Sequence, residues 1–333
     1  MLALTMSLKN RQSTWFDHPK FHSAKNVLIE RFKSHQGRYP SDYKRSLFGG
    51  AKLPRILFIC GGDPKYCDNR GIIESYLDKH APDLMTFRAE NAWEIISSNQ
   101  SQNKDGSINA LRLEEWLADF SDAVIILVES YGTVAELGAF SISSRLRSKL
   151  LPILDKNFED DLSFINTGPI SWINSDSLYK PTIYADFDTI LTTMPLMISN
   201  LSKGFKSLKK DNDDKFGNKN FSRKELLFIV IIIITSIGPI DEKNIYDICR
   251  QSFKLKGNES EVKFIISLCV ALKIIESFDF RQTKLYTCIN YERLYRNETT
   301  TNLLSVSRRL RLTCLSKLLY IDEFKEAISK VTN

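Results

Sequence analysis

Apolar positions along the chain fall into two regimes. Between residues 55 and 154, short unbroken apolar runs alternate with stretches of helical period. Residues 55–60 (RILFIC) read as a buried strand ending in the turn Gly61-Gly62-Asp63. A helix is expected over 69–80 and a second strand over 84–87, with helical stretches at 93–98 and 111–120 separated by a polar loop. Residues 122–128 (DAVIILV) form the strongest strand signal and run into Glu129-Ser130-Tyr131-Gly132. A helix over 133–144 and a strand over 150–154 follow. Fully apolar strands alternating with helices predict an α/β fold, a doubly wound parallel sheet covered on both faces.

Past residue 203 the pattern changes. The segment KGFKSLKKDNDDKFGNKN is charged and nearly free of apolar residues, which marks a linker or an exposed helix end. Ser222 and Glu225 have the spacing of a capping box ahead of the nine apolar residues LLFIVIIII at 226–234. A membrane helix needs about 20 such residues, so this segment is expected to be a core helix buried on every side. Gly238-Pro239 ends it, Asp241 is placed to cap a second helix, and a third opens near Asn258. Two β-like runs at 274–278 and 285–289 flank a polar turn. Three helices and a hairpin are the order of a winged helix. The expected division is a basic extension over 1–50, packed on a domain surface, the sheet domain over 51–203, a linker over 204–220 and a mainly helical winged-helix domain over 221–333.

Charge sharpens this division. The formal net charge is only +6, but 1–55 holds 11 basic and 3 acidic residues, 56–205 holds 12 and 21, and 206–333 holds 23 and 16. Basic ends around an acidic middle suit contact with a polyanion at the ends and different work in the middle. In the second domain Lys254, Lys256, Lys263, Arg281 and Lys284 fall on the third helix, its approach and the hairpin, the elements a winged helix lays on nucleic acid. Lys273 and Arg308, Arg309 and Arg311 add to the same charge. Taken singly, each is an ordinary solvated cation. The six cysteines form no Cys-x-x-Cys pair and only four histidines are present, which argues against structural zinc and a disulfide framework. A reducing, cytoplasmic setting without membrane attachment is expected.

Open parallel sheets take ligands beyond the carboxyl ends of their strands. Gly61, Gly62 and Asp63 after the first strand, and Ser130, Gly132 and Thr133 after the third, are candidates to hold phosphate or ribose. Arg88 and Glu90 follow the second strand and are placed to close the pocket, while Asn166 either bonds a ribose hydroxyl or braces a turn. Glu136 lies about one turn into an otherwise apolar helix, where a carboxylate is costly unless paired or used. Two readings stand for it: an acid favoured by the helix dipole, or a reactive group.

The order Asp122-Ala-Val-Ile-Ile-Leu-Val, then Gly132-Thr-Val-Ala-Glu136-Leu-Gly138-Ala, resembles the signature of the nucleoside 2-deoxyribosyltransferase family. In that family the matching glutamate attacks the anomeric carbon of a nucleoside, which puts the catalytic role on Glu136. The stretches 56–63, 122–130, 136–141 and 163–169, together with the second domain, also resemble the toxic effectors of a class of bacterial retrons. That resemblance implies a defence toxin that cleaves N-glycosidic bonds, with NAD⁺ as substrate rather than cofactor. It further implies restraint by a retron reverse transcriptase and its branched RNA–DNA molecule (msDNA), and assembly into a higher oligomer or filament. The competing reading is a non-catalytic nucleotide sensor on a winged-helix DNA-binding protein.

Overall fold

The computed structural model describes residues 15–34, 53–90, 92–93, 110–208, 215–216, 221–253, 259–288 and 298–332. The chain divides into two compact units, one of residues 54–214 and one that joins 1–53 to 215–333.

The first helix, α1 (Pro19–Ser34), belongs to the second of these units. Phe21, Ala24, Lys25, Leu28, Ile29 and Phe32 are buried along it, a single helical stripe. Lys25 is only 7% exposed, and its Nζ donates to Asn244 Oδ1 at 2.9 Å and meets Asp247 Oδ2 at 3.3 Å. Trp15 packs edge-on against Phe280 and Phe324. The described part of the 1–50 stretch, expected to be a surface extension, therefore supplies core to the helical unit. The long sequence separation of its partners hid this.

The sheet unit contains β1 (Arg55–Cys60), α2 (Asn69–His80), β2 (Leu84–Phe87), α3 (Ala110–Phe120), β3 (Ala123–Leu127), α4 (Tyr131–Ile142) and α5 (Ser144–Arg147). It continues through β4 (Leu150–Asp155), α6 (Ser171–Asp176), β5 (Ile183–Ala185) and α7 (Met194–Ser207). All five strands are parallel, in the order β2-β1-β3-β4-β5. The winding reverses between β1 and β3, which puts a crevice outside their carboxyl ends. At the amino ends Asp122 ties the same strands together, accepting from Arg55 and from the Ile56 N–H, both at 2.8 Å. Leu57, Ile59, Ala123, Ile125, Leu127, Leu151 and Ile153 pack on Ile73, Leu77, Met194, Met197 and Leu201 of the helices. The expected 93–98 helix falls mostly outside the described residues. The segment 203–207, read as a linker or an exposed helix end, is the end of α7.

The helical unit adds the short pair β6 (Lys215–Phe216) and β7 (Phe221–Ser222), then α8 (Arg223–Ile237), β8 (Ile240–Asp241), α9 (Glu242–Phe253) and α10 (Glu259–Ala271). After these come β9 (Ile275–Phe280), β10 (Thr283–Cys288), α11 (Glu298–Leu318) and α12 (Asp322–Thr332). Every residue of α8 from Glu225 to Ile237 is buried, as its all-round apolarity requires. Asp241 caps α9, its Oδ1 accepting from the Asn244 N–H at 3.0 Å. The three short strands form an antiparallel sheet ordered β8-β10-β9. The hairpin turn is tighter than expected: Arg281 and Gln282 alone make it, both at positive φ (47° and 66°). Neither is a residue type that signals this conformation, so the sequence pointed to a longer turn. Among the described residues no helix is long and apolar enough to cross a membrane, and no cluster of His, Cys, Asp and Glu could hold a metal ion.

Candidate functional site

The crevice is built from the loops that follow β1 and β3. Glu129 leaves the end of β3 and joins them. Its Oε1 accepts from the Gly62 N–H at 2.8 Å, and its Oε2 accepts from the Cys67 thiol and the Asn69 amide, both at 2.9 Å. Three donors on one carboxylate pin the 61–69 loop.

Gly61 has a steric role. A Cβ there would lie 2.5 Å from Arg70 Cγ, so only glycine lets the Arg70 side chain fold under the loop. Arg70 is 3% exposed, and its NH2 group reaches the Gly62 carbonyl and Glu90 Oε1, each at 2.7 Å. Burial would raise the Glu90 carboxyl, but the Arg70 hydrogen bond and charge bring it below its ordinary value.

Glu136 sits on the first turns of α4. Ser130 and Thr133 start that helix with a reciprocal cap, in which Ser130 Oγ accepts from the Thr133 N–H and Thr133 Oγ1 from the Ser130 N–H. The Glu136 carboxyl is pushed up to about 7. Burial is the main cause and the charge of Glu114 on α3 the next, while the Cys60 thiol at the end of β1 and Arg70 pull it down. Glu114 is itself raised by burial, then by Glu90. Glu136 Oε2 and Arg70 Nε are enclosed and lack a hydrogen-bond partner among the described residues. Native structures rarely leave such groups idle. Large apolar side chains stand uncovered on the loops after β1, β3 and β4: Tyr66 (90% exposed), Tyr131 (98%), Leu162 (94%) and Phe164 (83%).

The residues singled out in the sequence separate accordingly. Gly61, Gly62, Glu90, Ser130, Thr133 and Glu136 all lie on the loops and helix start at the crevice, with Gly132 exposed beside them. Asp63 is exposed and turns the loop, accepting from the Lys65 N–H. Arg88 is clamped by both oxygens of Glu74, at 2.9 and 2.7 Å, and is thereby taken up by structure. Asn166 braces a turn: its amide donates to the carbonyls of Phe158 and Asp161, and its oxygen accepts from Tyr184. Both amide hydrogens are engaged, and Oδ1 keeps one acceptor position. Sequence reasoning did not select Cys60, Cys67, Asn69, Arg70, Glu114 or Glu129 for the site. The one local signal was three polar residues, Asn69, Arg70 and Glu129, directly at strand-to-helix junctions.

In the helical unit Lys263 is held by Glu242 at 3.0 Å and Glu259 at 3.3 Å, and Arg281 by Glu326 at 2.6 Å. Lys284 lies on β10 of the hairpin, and Lys254 and Lys256 fall outside the described residues.

Two relatives from Escherichia coli align with most of the chain. One is a protein of retron Ec86, 27% identical over 243 residues, or 70% of this chain and 75% of that protein. The other is a protein of retron Ec73, 28% identical over 247 residues, or 67% of this chain and 75% of that protein. The names of both give them, provisionally, as ribosyltransferase/DNA-binding proteins. The model of the STM3845 retron effector proteins matches residues 66–277, a span that takes in Glu129, Glu136 and helices α8 to α10 of the helical unit. With most of its length inside that match, the chain belongs to the STM3845 retron effector protein family.

Proposed function

We propose that the sheet unit is an N-glycosidase resembling nucleoside deoxyribosyltransferases, that its substrate is NAD⁺, and that Glu136 is its catalytic carboxylate. The observation that carries this reading is the enclosed, unpaired Oε2 of Glu136 at the switch point of the sheet. Cleavage passes through an oxocarbenium-like centre at the ribose C1′, which a carboxylate stabilises or captures covalently. The C1′–N bond breaks with its electron pair going to nitrogen, so the cationic nicotinamide leaves as a neutral ring. Water then adds at C1′ and loses a proton, giving ADP-ribose. A cationic leaving group needs no protonation. It also favours the ionised form of Glu136, offsetting the burial and the neighbouring Glu114 that hold the carboxyl near 7. Tyr66, Tyr131 and Phe164 offer faces for a flat ring.

The helical unit, in this reading, is a winged-helix module that binds nucleic acid. The enzyme is the toxic arm of a retron defence system, restrained by the reverse transcriptase and msDNA, in an oligomer or filament, until infection releases it. Nicotinamide release from NAD⁺ tests the catalytic core. Wild-type protein freed of its partners is expected to release nicotinamide, and Glu136→Gln to release none while still joining the retron complex. Release by the variant at the wild-type rate sinks the assignment of Glu136. Wild-type activity on a deoxyribonucleoside but not on NAD⁺ sinks the substrate.

A further inference from the structure

Helices α1 and α11 pack against each other within the helical unit and leave a groove of about 430 Å³ between them. Its floor is aliphatic, from Val27, Val306 and Leu310. One arginine stands on each wall, Arg31 on α1 and Arg309 on α11, and each has a hydroxyl nearby, Ser34 and Thr313. Both arginines are exposed, and neither makes an ion pair among the described residues. The one carboxylate among the described lining residues, Glu30, is already taken by Lys33 at 3.0 Å.

The charge balance around this groove differs from that of the face a winged helix ordinarily presents. On α10, Glu259 and Glu261 outweigh Lys263. On the hairpin, Glu276 and Asp279 match Arg281 and Lys284. The sequence of α11, by contrast, carries Arg308, Arg309, Arg311 and Lys317 against one acid, Glu298, with Arg311 donating to the Gly238 carbonyl. The α1 wall is firmly placed, because Lys25 is buried against Asn244 and Asp247 and the Cys314 thiol of α11 meets the Ala24 carbonyl.

We propose that this groove is the surface on which the helical unit holds the phosphate backbone of a nucleic acid. Two guanidinium groups on opposite walls suit successive phosphates, each with a bidentate fork, while the Ser34 and Thr313 hydroxyls donate to the Arg31 and Arg309 carbonyls. Among the described residues no aromatic side chain lines the groove, so the contact is to phosphate and indifferent to sequence. The proposal rests on the reading that this unit binds nucleic acid, and it moves the main contact from α10 and the hairpin to α1 and α11.

Fluorescence anisotropy of the full chain with labelled DNA of mixed sequence, over a salt series, tests it. Arg31→Ala/Arg309→Ala is expected to weaken binding to duplex at least tenfold. It should also lower the slope of log affinity against log salt by about two, one for each lost phosphate contact. An unchanged melting temperature shows that the fold is intact. Equal affinity and slope in wild type and double variant overturn the groove. So does selective loss of binding in Lys263→Ala/Arg281→Ala/Lys284→Ala. Polyglutamate bound as tightly as DNA overturns the nucleic-acid assignment in favour of an acidic peptide. If wild-type protein binds no DNA at all, the failure lies with the underlying reading of the unit, and the groove proposal goes with it.

Discussion

Two helices of the molecule are built almost wholly from apolar residues and meet opposite fates. Helix α8 is buried from Glu225 to Ile237, and its acid sits at the first turn, where the helix dipole favours it. Helix α4 buries only Thr133, Leu137, Phe140 and Ser141, leaves Tyr131, Val134 and Ile142 open to solvent, and keeps its acid, Glu136, in its middle. In α8 apolarity is core material, and every neighbour is chosen to cover it. In α4 burial by the surrounding fold, followed by the charge of Glu114 on α3, lifts one carboxyl to about 7. The same residue types thus make a scaffold in one place and a tuned group in the other. The difference comes from what the fold puts next to them.

The largest effect should come from giving α8 what α4 already has. Ile231 is 3% exposed, and Ile231→Asp would bury a carboxylate with no donor prepared for it. The expected cost is about 4 kcal/mol or more, enough to unfold the helical unit. Loss of the 215–333 region's protection in hydrogen exchange, with the 54–214 region still protected, is the outcome to look for. A variant that keeps full protection would show that α8 is less tightly covered than its burial indicates.

Next is the carboxylate that is fully satisfied. Glu129 serves Gly62, Cys67 and Asn69. Glu129→Ala would strand the Gly62 N–H and the buried Asn69 amide, at a cost of about 2–4 kcal/mol. Glu129→Gln keeps one acceptor oxygen and should lose roughly half as much. Thermal melts of the two variants separate a structural brace from a dispensable surface acid. Melting unchanged in Glu129→Ala would remove Glu129 from the frame of the crevice.

The contrast also marks what the sequence could reveal. Strands β1 to β4 and helix α2 were legible within a residue or two, because an apolar run and a turn are local signals. Glu136 was legible because an acid among Val134, Ala135, Leu137 and Phe140 breaks the local pattern. Its surroundings were not. Cys60, Arg70 and Glu114 lie 76, 66 and 22 positions before it, and only the order of strands in the sheet brings them together. Strand β5 has three residues, too few to show a period. The place of α1 depends on partners more than two hundred residues away. The surroundings of the cations were not legible either: acids from other elements, Glu242 and Glu326, pair with Lys263 and Arg281.

A smaller effect, opposite in sign to those above, is expected at Glu136 itself. Its folded-state value of about 7 lies above the ordinary 4.5, so the folded protein holds a proton that the unfolded chain releases between these values. Stability contributed by the neutral carboxyl is therefore complete below about pH 4.5 and is lost as pH rises through about 7. Glu136→Gln never ionises. Relative to wild type it should gain on the order of 2 kcal/mol at pH 8 and nothing at pH 4. Wild-type cleavage should run the other way, rising with pH through about 7 as Glu136 ionises. Melting curves and nicotinamide release over the same pH series read both trends. A variant no more stable than wild type at pH 8 would mean that the carboxyl is not strained.

The smallest effect concerns Gly138, two residues along the same helix. A Cβ placed there meets nothing within 4 Å, so the packing of this chain does not require glycine. Glycine in a helix interior costs about 0.5–1 kcal/mol relative to alanine. Gly138→Ala should therefore raise the melting temperature slightly in the isolated protein. The comparison with α8 is sharpened by the second readout, the rate of nicotinamide release. If the variant is more stable and equally active, the open face of α4 is ordinary surface, and Glu136 alone sets this helix apart from a core helix. If it is more stable but raises KM with kcat unchanged, the substrate passes within a methyl group of the helix there. The apolar residues left uncovered on α4 would then belong to the site as much as Glu136 does.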